Sequence, residues 1–142
     1  MTYLMQIFWG SVVLGTCSLV HLVILVWSVD LVKRLNDLTQ KHRNSLRWGI
    51  MFGLAFGMVV LAHTIQVWIW ASSFMYLGVF TELADAIYFS LVTYTTVGYG
   101  DVTAGDGFRI YAAMAAVTGL LNFGLSTAFL VGLFSKLMPD YS

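Results

Sequence analysis

Long stretches without a charged residue constrain this sequence more than any other feature. Three of them run from Met1 to Val29, from Trp48 to Thr81 and from Ile110 to Ser135, and they contain 29, 34 and 26 residues. A helix needs about 20 predominantly apolar residues to cross the hydrocarbon of a bilayer. Only 10% of the 142 residues are charged, against about 25% in soluble domains, so a core of this size could not hide the apolar surface from water. We predict three transmembrane helices.

A fourth uncharged run, from Ala86 to Gly100, has only 15 residues and ends in Gly-Tyr-Gly. It is too short to span the hydrocarbon, and a segment that enters the membrane and leaves on the same side explains it better. The predicted fold is therefore an all-α membrane protein with three transmembrane helices, a short re-entrant helix and the loop that follows it.

The charges and the reactive side chains exclude several classes of protein. Seven Lys and Arg residues balance seven Asp and Glu residues, which argues against a nucleic-acid partner. The single cysteine, Cys17, cannot form an internal disulfide or supply a metal-ligand pair, and the three histidines show no tight ligand spacing. Because no pair of nucleophile and base is visible either, we expect neither an enzyme nor a bound cofactor.

Basic residues indicate the orientation in the membrane. Six of the seven lie between the first two spans or directly after the third, and this side is expected to be the cytoplasm of a cell membrane. The N-terminus is then outside and the C-terminus is cytoplasmic. A cleaved signal peptide is the alternative for the first span, but residues 1–8 carry no basic residue and the positive charges follow the apolar run. A retained N-terminal helix at 1–30, packed outside the second span, is favoured.

The connector from 31 to 47 is expected to continue the first helix or to lie along the lipid headgroups. A site for anionic lipids is one interpretation of its charges, and the ordinary excess of positive charge on the cytoplasmic side is the favoured one. The basic residues of the connector lie outside the apolar spans and do not recur at every third position, so no voltage sensor is predicted. The five basic residues of the connector are Lys33, Arg34, Lys41, Arg43 and Arg47.

The segment from Thr95 to Asp101 reads Thr-Thr-Val-Gly-Tyr-Gly-Asp and lies between the second and third spans. It resembles the selectivity filter of potassium channels, and residues 48–142 resemble the pore domain of the simplest two-span members of that family. The resemblance implies four elements: an outer helix at 48–71, a pore helix at 81–94, the filter at 95–101 and an inner helix at 108–137.

The filter chemistry follows from what a dehydrated cation requires. Successive backbone carbonyls must replace its water, and glycine adopts the unusual dihedrals that direct them to one axis. Gly98 and Gly100 alternate with Val97 and Tyr99, whose side chains can pack away from that axis, and Thr96 adds a hydroxyl oxygen. The resemblance implies that K⁺ is coordinated along this segment, with permeant K⁺ as the ligand.

One filter loop cannot encircle an ion, and the sequence contains one copy. A homotetramer in the bilayer is therefore expected. In the family, the filter tyrosine bonds to the pore helix of a neighbour, and Tyr99 matches that position. The segment between the second and third spans is expected to face the outside. It has four acids and one base, Arg109, so that its negative charge would attract cations.

The resemblance also assigns supporting roles around the filter. Asp101 is expected to bond to Tyr88 behind the filter, and Thr95 is expected to support its inner end. Three aromatic side chains, those of Tyr88, Phe89 and Tyr94, are expected to pack around the filter and hold its diameter. One residue departs from the family, because some bacterial relatives place a carboxylic acid where this chain has Val92. An acid pair with Asp101 is therefore not expected.

The third span is long enough to tilt, since 30 residues from Phe108 to Leu137 extend ~45 Å against ~30 Å of hydrocarbon. Gly119 matches the gating glycine of the family, and Gly124 belongs to the same hinge region. Close helix packing is an equally good explanation of Gly119. By the resemblance, three residues face the central cavity: Leu120, Phe123 and Thr127.

His63 lies in the middle of the second span. An ionisable group in the bilayer is a candidate functional site, here a proton sensor. The favoured interpretation is a neutral histidine that bonds across to the first helix, where Thr16, Cys17 and Ser18 lie at similar depth. The same interpretation is favoured for His21.

The sequence thus predicts a homotetrameric, potassium-selective channel that conducts K⁺ passively, without a voltage sensor or a cytosolic ligand-binding domain. A weakly selective cation channel and a regulatory membrane subunit that does not conduct are the alternatives. The gating stimulus is not indicated.

Overall fold

The computed structural model describes residues 1–38 and 44–137, and within these ranges every regular element is helical. Three of the helices are long and apolar enough to cross a membrane, and the fourth is a shorter apolar helix. The predicted all-α fold with three membrane spans is therefore confirmed. The elements are α1 (Tyr3–Leu38), α2 (Asn44–Tyr76), α3 (Leu83–Tyr94) and α4 (Arg109–Leu137), the last preceded by a 3-10 turn at Asp106–Phe108.

α1 continues into the connector, which is one of the two arrangements expected for residues 31–47, and α2 is longer than predicted. α1 continues to Leu38, eight residues past the expected end at 30, and α2 runs from Asn44 to Tyr76 rather than from 48 to 71. No Gly or Pro lies between residues 30 and 38 to end α1, and Asp30 lies 3.8 Å from Lys33 one turn later. The described parts of the predicted connector are therefore helical on both sides.

The packing of α1 differs from the expected position outside α2, because α1 contacts both α2 and α4. Near its N-terminus, the buried Gln6 accepts hydrogen bonds through Oε1 from the backbone N–H groups of Ile110 (3.1 Å) and Tyr111 (3.3 Å). These donors have no partner inside a helix at its first turn. One turn further, Gly10 lies so close to α4 that a Cβ there would be 2.7 Å from Cγ of Met114. α1 is therefore packed closely against the start of α4.

Aromatic rings fill the space between α2, α3 and the start of α4. Phe74 is at the centre of this group and is fully buried, with ring centroids 5.2 Å from Phe89, 5.6 Å from Tyr111 and 5.7 Å from Trp70. Edge-to-face and tilted contacts at these distances are favourable beyond the area that they bury. They hold α3 against the two long helices, so that its C-terminal end lies beside the middle of α4.

Candidate functional site

The predicted filter follows the C-terminal end of α3 directly. From Thr95 onward the chain has no regular secondary structure until the 3-10 turn before α4. Two backbone hydrogen bonds hold the loop to α3: the N–H of Thr96 donates to the carbonyl of Thr93 (2.9 Å), and the N–H of Gly98 donates to the carbonyl of Val92 (3.0 Å). The loop is thus anchored at its base by the helix that precedes it.

The backbone of the loop is left-handed at every second residue. The φ angles of Thr96, Gly98 and Gly100 are 62°, 53° and 78°, whereas Val97 and Tyr99 between them have no positive φ. Thr96 is the single non-glycine residue with positive φ in the described ranges, a conformation that costs about 1–2 kcal/mol for an L-residue. In a strand, successive carbonyls point to opposite sides; a left-handed residue between two others reverses that alternation. The pattern is the one that allows successive carbonyls to share a side.

The loop is uncovered in the single chain. Every residue from 95 to 101 is exposed, and the side chains of Val97 and Tyr99 are 52% and 73% exposed. α3 and α4 therefore cover only part of this irregular backbone.

Behind the loop, Tyr88 and Asp101 form the hydrogen bond that the resemblance implies. The hydroxyl of Tyr88 donates to Oδ2 of Asp101 at 2.6 Å. This bond lowers the pKa of Asp101 from its ordinary value and raises the pKa of Tyr88. Thr95 turns back onto α3, where its hydroxyl donates to the carbonyl of Leu91 at 2.7 Å. Both contacts tie the two ends of the loop to the same short helix.

α4 comes closest to α3 at Gly119. A Cβ at this position would lie 1.8 Å from the carbonyl oxygen of Tyr94, whereas a Cβ at Gly124 would have no atom within 4 Å. This contact is the close helix packing that was the alternative to a hinge. The three residues expected to face a cavity, Leu120, Phe123 and Thr127, are all exposed in the single chain. The ring of Phe123 also lies 4.4 Å from that of His63.

The expectation that Tyr94 packs around the filter is wrong. Tyr94 is 1% exposed and points into the helix bundle, where its hydroxyl donates to Oε1 of Gln66 at 3.0 Å. Nδ1 of His63 lies 2.8 Å from the same hydroxyl. A buried hydroxyl without a partner is costly, and the polar side chains of α2 offer partners that the filter loop does not.

The expected partners of His63 are also wrong. His63 bonds to Tyr94 and, through Nε2, to Oγ of Ser126 on α4 at 3.1 Å, whereas Thr16 of α1 bonds within its own helix. The histidine of α1 reaches the same serine, since Nε2 of His21 lies 2.9 Å from Oγ of Ser126. All four helices contribute to this buried polar cluster, which consists of His21, His63, Gln66, Tyr94, Asn122 and Ser126.

Sequence reasoning did not single out Asn122 and Ser126. Their signal is the spacing of four residues on an otherwise apolar span, which puts both on one face of α4. Gly119 lies one turn earlier on that face. The side of α4 that packs against the other three helices is therefore marked by small and polar residues.

The basic residues of the connector are partly involved in local contacts. Lys33 is exposed and 3.8 Å from Asp30, and Nε of Arg47 donates to Oδ1 of Asn36 at 3.1 Å. Arg34 is exposed, and the other two basic residues lie outside the described residues. In the described ranges, no group of three or more His, Cys, Asp or Glu side chains could hold a metal ion.

Comparison with known proteins identifies one region of the chain. A model of the ion-channel family matches residues 56–136, which is more than half of the sequence. The matched region begins inside α2 and includes α3, the loop after it and nearly all of α4. Searches of the curated proteins and of the solved structures find no match.

Proposed function

The chain belongs to the ion-channel family, and we propose that it is one of four identical subunits of a potassium-selective channel that conducts K⁺ passively. Membership of the family and the three apolar helices support ion transport by a multi-pass membrane protein. Selectivity for K⁺ and the fourfold assembly are argued from the filter loop, because that is the segment which an ion would contact.

The observation that carries the proposal is the alternating backbone of the loop. Left-handed φ angles at Thr96, Gly98 and Gly100 allow a row of carbonyl oxygens on one side, which is what a cation needs in place of its hydration shell. Thr96 also has a left-handed φ angle, although a glycine at this position would adopt that angle at lower conformational cost. The threonine at this position brings a hydroxyl that can serve as a further oxygen at the inner end of the filter.

The exposure of the loop supports the tetramer. Irregular backbone at membrane depth is tolerated only where protein buries it or where it lines a cavity, and residues 95–101 are exposed in the single chain. Further copies around an axis would cover the outer sides of Val97 and Tyr99 and leave the carbonyls facing a pore. Four loops provide the ring of oxygens that one loop cannot.

The charge around the loop favours cations. Of the five charged residues from the end of α2 to the first residue of α4, four are acidic and one is basic, a net charge of −3 for each chain and −12 for four chains. The basic residue, Arg109, is 2.6 Å from Asp106, which leaves the other acids unopposed by a basic side chain of this segment. A negative mouth raises the local concentration of cations. The four acids are Glu82, Asp85, Asp101 and Asp106.

Flux through liposomes that hold the purified chain tests the proposal. A potassium gradient should drive flux that barium blocks, and a sodium gradient should not. Equal flux of both ions would support the weakly selective cation channel instead. Absence of flux under both gradients would support a regulatory subunit that does not conduct.

Two matched glycine variants show whether the loop backbone carries the selectivity. At Gly98 and at Gly15, an added Cβ meets no atom within 4 Å, but only Gly98 has a positive φ, of 53°. The variants therefore differ in backbone strain, about 1–2 kcal/mol for an L-residue in the left-handed region. Gly98→Ala should abolish the preference for potassium, and Gly15→Ala in α1 should retain it. Selective flux through Gly98→Ala would contradict the assignment of the filter.

A further inference from the structure

Hydrogen positions in the buried polar cluster can be assigned from the partners of Gln66. The side-chain nitrogen of Gln66 lies 3.2 Å from the carbonyl oxygen of Ala62, which can only accept. The opposite amide orientation would bring two acceptors together. Oε1 then accepts from the hydroxyl of Tyr94 at 3.0 Å and from Nδ2 of Asn122 at 2.6 Å. The amide orientation of Gln66 is thereby determined.

The tautomer of His63 follows from Tyr94. The single hydroxyl proton of Tyr94 is donated to Gln66, so the contact of 2.8 Å between Tyr94 and Nδ1 of His63 requires an N–H on Nδ1. In a neutral imidazole the other nitrogen, Nε2, is then an acceptor. Ser126 lies 3.1 Å from it and donates its hydroxyl proton there.

The tautomer of His21 is the opposite one. Its Nδ1 lies 2.7 Å from the side-chain nitrogen of Gln66, which is a donor, so Nδ1 accepts. The proton of neutral His21 is therefore on Nε2, which donates to Oγ of Ser126 at 2.9 Å. The donors now form a closed ring in one direction, from Gln66 through His21, Ser126, His63 and Tyr94 back to Gln66.

We propose that His63 is a proton-binding site of the channel, and that the charge which it gains lowers cation conduction. The ring accepts one additional proton most readily at Nε2 of His63. Ser126 then turns its own hydroxyl proton away and accepts from both histidines with its two lone pairs. A proton on Nδ1 of His21 would instead oppose the N–H of Gln66 and break the bonds of that amide.

Accessibility distinguishes the two histidines in the same way. His63 is partly exposed and lies on the wall of a cavity of about 340 Å³, whereas His21 is fully buried. Most of the lining is apolar, but Thr64 and Thr95 also line this cavity and offer water polar partners beside His63. A proton can therefore reach His63 through water, at the level of the first residue of the filter.

No nearby carboxylate neutralises the charge that His63 would gain. The titratable side chains of the packed elements are His21 and Cys17 from α1 and Tyr94 from α3. The side chains of α4 that contact His63 are those of Phe123 and Ser126, which do not titrate. The three long uncharged runs leave the middle of each span without Asp, Glu, Lys or Arg. The inference rests on the proposed channel function, in which four such charges surround one pore and repel the permeant cation.

Magnetic resonance of isotope-labelled histidine in bilayers tests the proton site without ion conduction. At about pH 8, the spectrum should show His63 with its proton on Nδ1 and His21 with its proton on Nε2. Acidification should give a doubly protonated His63 before His21 changes. His63→Gln and His21→Gln variants assign the signals. Identical tautomers, or protonation of His21 first, would overturn the inference whether or not the protein conducts.

Flux measurements test the consequence for conduction. Potassium flux should fall severalfold between about pH 8 and about pH 4 in the unaltered protein, because His63 is partly buried and gains its proton only at acidic pH, and His63→Gln should remove this dependence. His42→Gln is the matched control, since it removes the third histidine of the chain, and the fall should persist in it. A dependence on pH that survives His63→Gln, or flux independent of pH, would refute the effect on conduction. Absence of flux at every pH would instead count against the proposed channel function.

Discussion

Substitution of Gly119 by alanine separates the two explanations of this glycine. The added Cβ would lie 1.8 Å from the carbonyl oxygen of Tyr94 and 2.9 Å from its carbonyl carbon. Cβ atoms do not approach other heavy atoms closer than 3.0 Å, so α4 and the end of α3 must separate by about 1.2 Å. The opposing atoms belong to backbone and cannot rotate away. The displacement of Tyr94 would therefore also displace Thr95, the first residue of the loop at 95–101.

The sign of the stability change is the informative quantity. Overpacking of a well-packed site costs about 1–3 kcal/mol, and contact with backbone argues for the upper part of this range. Replacement of a glycine by alanine inside a helix otherwise stabilises it by roughly 0.5–1 kcal/mol. Close packing thus predicts that Gly119→Ala loses about 1–2 kcal/mol. A hinge without a packing role predicts a variant that is equally stable or more stable and has lost only its ability to bend.

Thermal unfolding of the purified protein, followed by circular dichroism, measures this difference. Gly124→Ala is the matched control, because it lies in the same helix and its added Cβ meets no atom within 4 Å. We expect a lower melting temperature for Gly119→Ala alone. A melting temperature at or above that of the unaltered protein would refute the packing argument and leave the hinge as the explanation.

Three further predictions concern Gln6 of α1, the hydrogen bond between Tyr88 and Asp101, and the response to cytoplasmic spermine. Gln6→Leu leaves the N–H groups of Ile110 and Tyr111 without their acceptor, and should lower the free energy of unfolding by about 1–3 kcal/mol in a denaturation experiment. The hydrogen bond from Tyr88 lowers the pKa of Asp101 from its ordinary 3.8. The stability that this bond adds is therefore complete above pH 3.8 and is lost only as the pH falls through the lowered pKa. Because Asp101 stays ionised down to about pH 5, flux through His63→Gln should be constant from about pH 7 to about pH 5. Patch recordings with cytoplasmic spermine should lack steep inward rectification, since α4 has no acidic residue.

The membrane spans could be predicted because the bilayer imposes a length. An uncharged run of more than 20 residues has one stable arrangement in hydrocarbon, a helix that satisfies its own backbone. The ends of the helices were less predictable. α1 reaches Leu38 and α2 starts at Asn44 outside the apolar runs, where local propensity and solvent decide and where the apolar pattern carries no information.

The left-handed backbone of the loop at 95–101 could be predicted in part, because its requirements are local. Glycines at alternate positions meet the need for left-handed dihedrals, and Gly98 and Gly100 have them. The positive φ of Thr96 is not apparent from its residue type, since β-branched residues avoid that region. The direction of Tyr94 was not predictable either, because it depends on which face of α2 turns Gln66 and His63 toward the end of α3.

α1 restricts where α4 can bend. Gln6 contacts Ile110 at the start of α4, and His21 contacts Ser126, 16 residues later and ~24 Å along the helix. The contacts advance together along both helices, so α1 and α4 run parallel and are held at two points, with Gly119 between them. A bend at Gly119 therefore requires that Ser126 leave His21. Beyond Ser126 the contacts of α4 are apolar, through Phe129, Leu130 and Leu133 against α1 and α2. Such contacts are not directional, and they allow the last turns of α4 to move while the polar cluster stays intact.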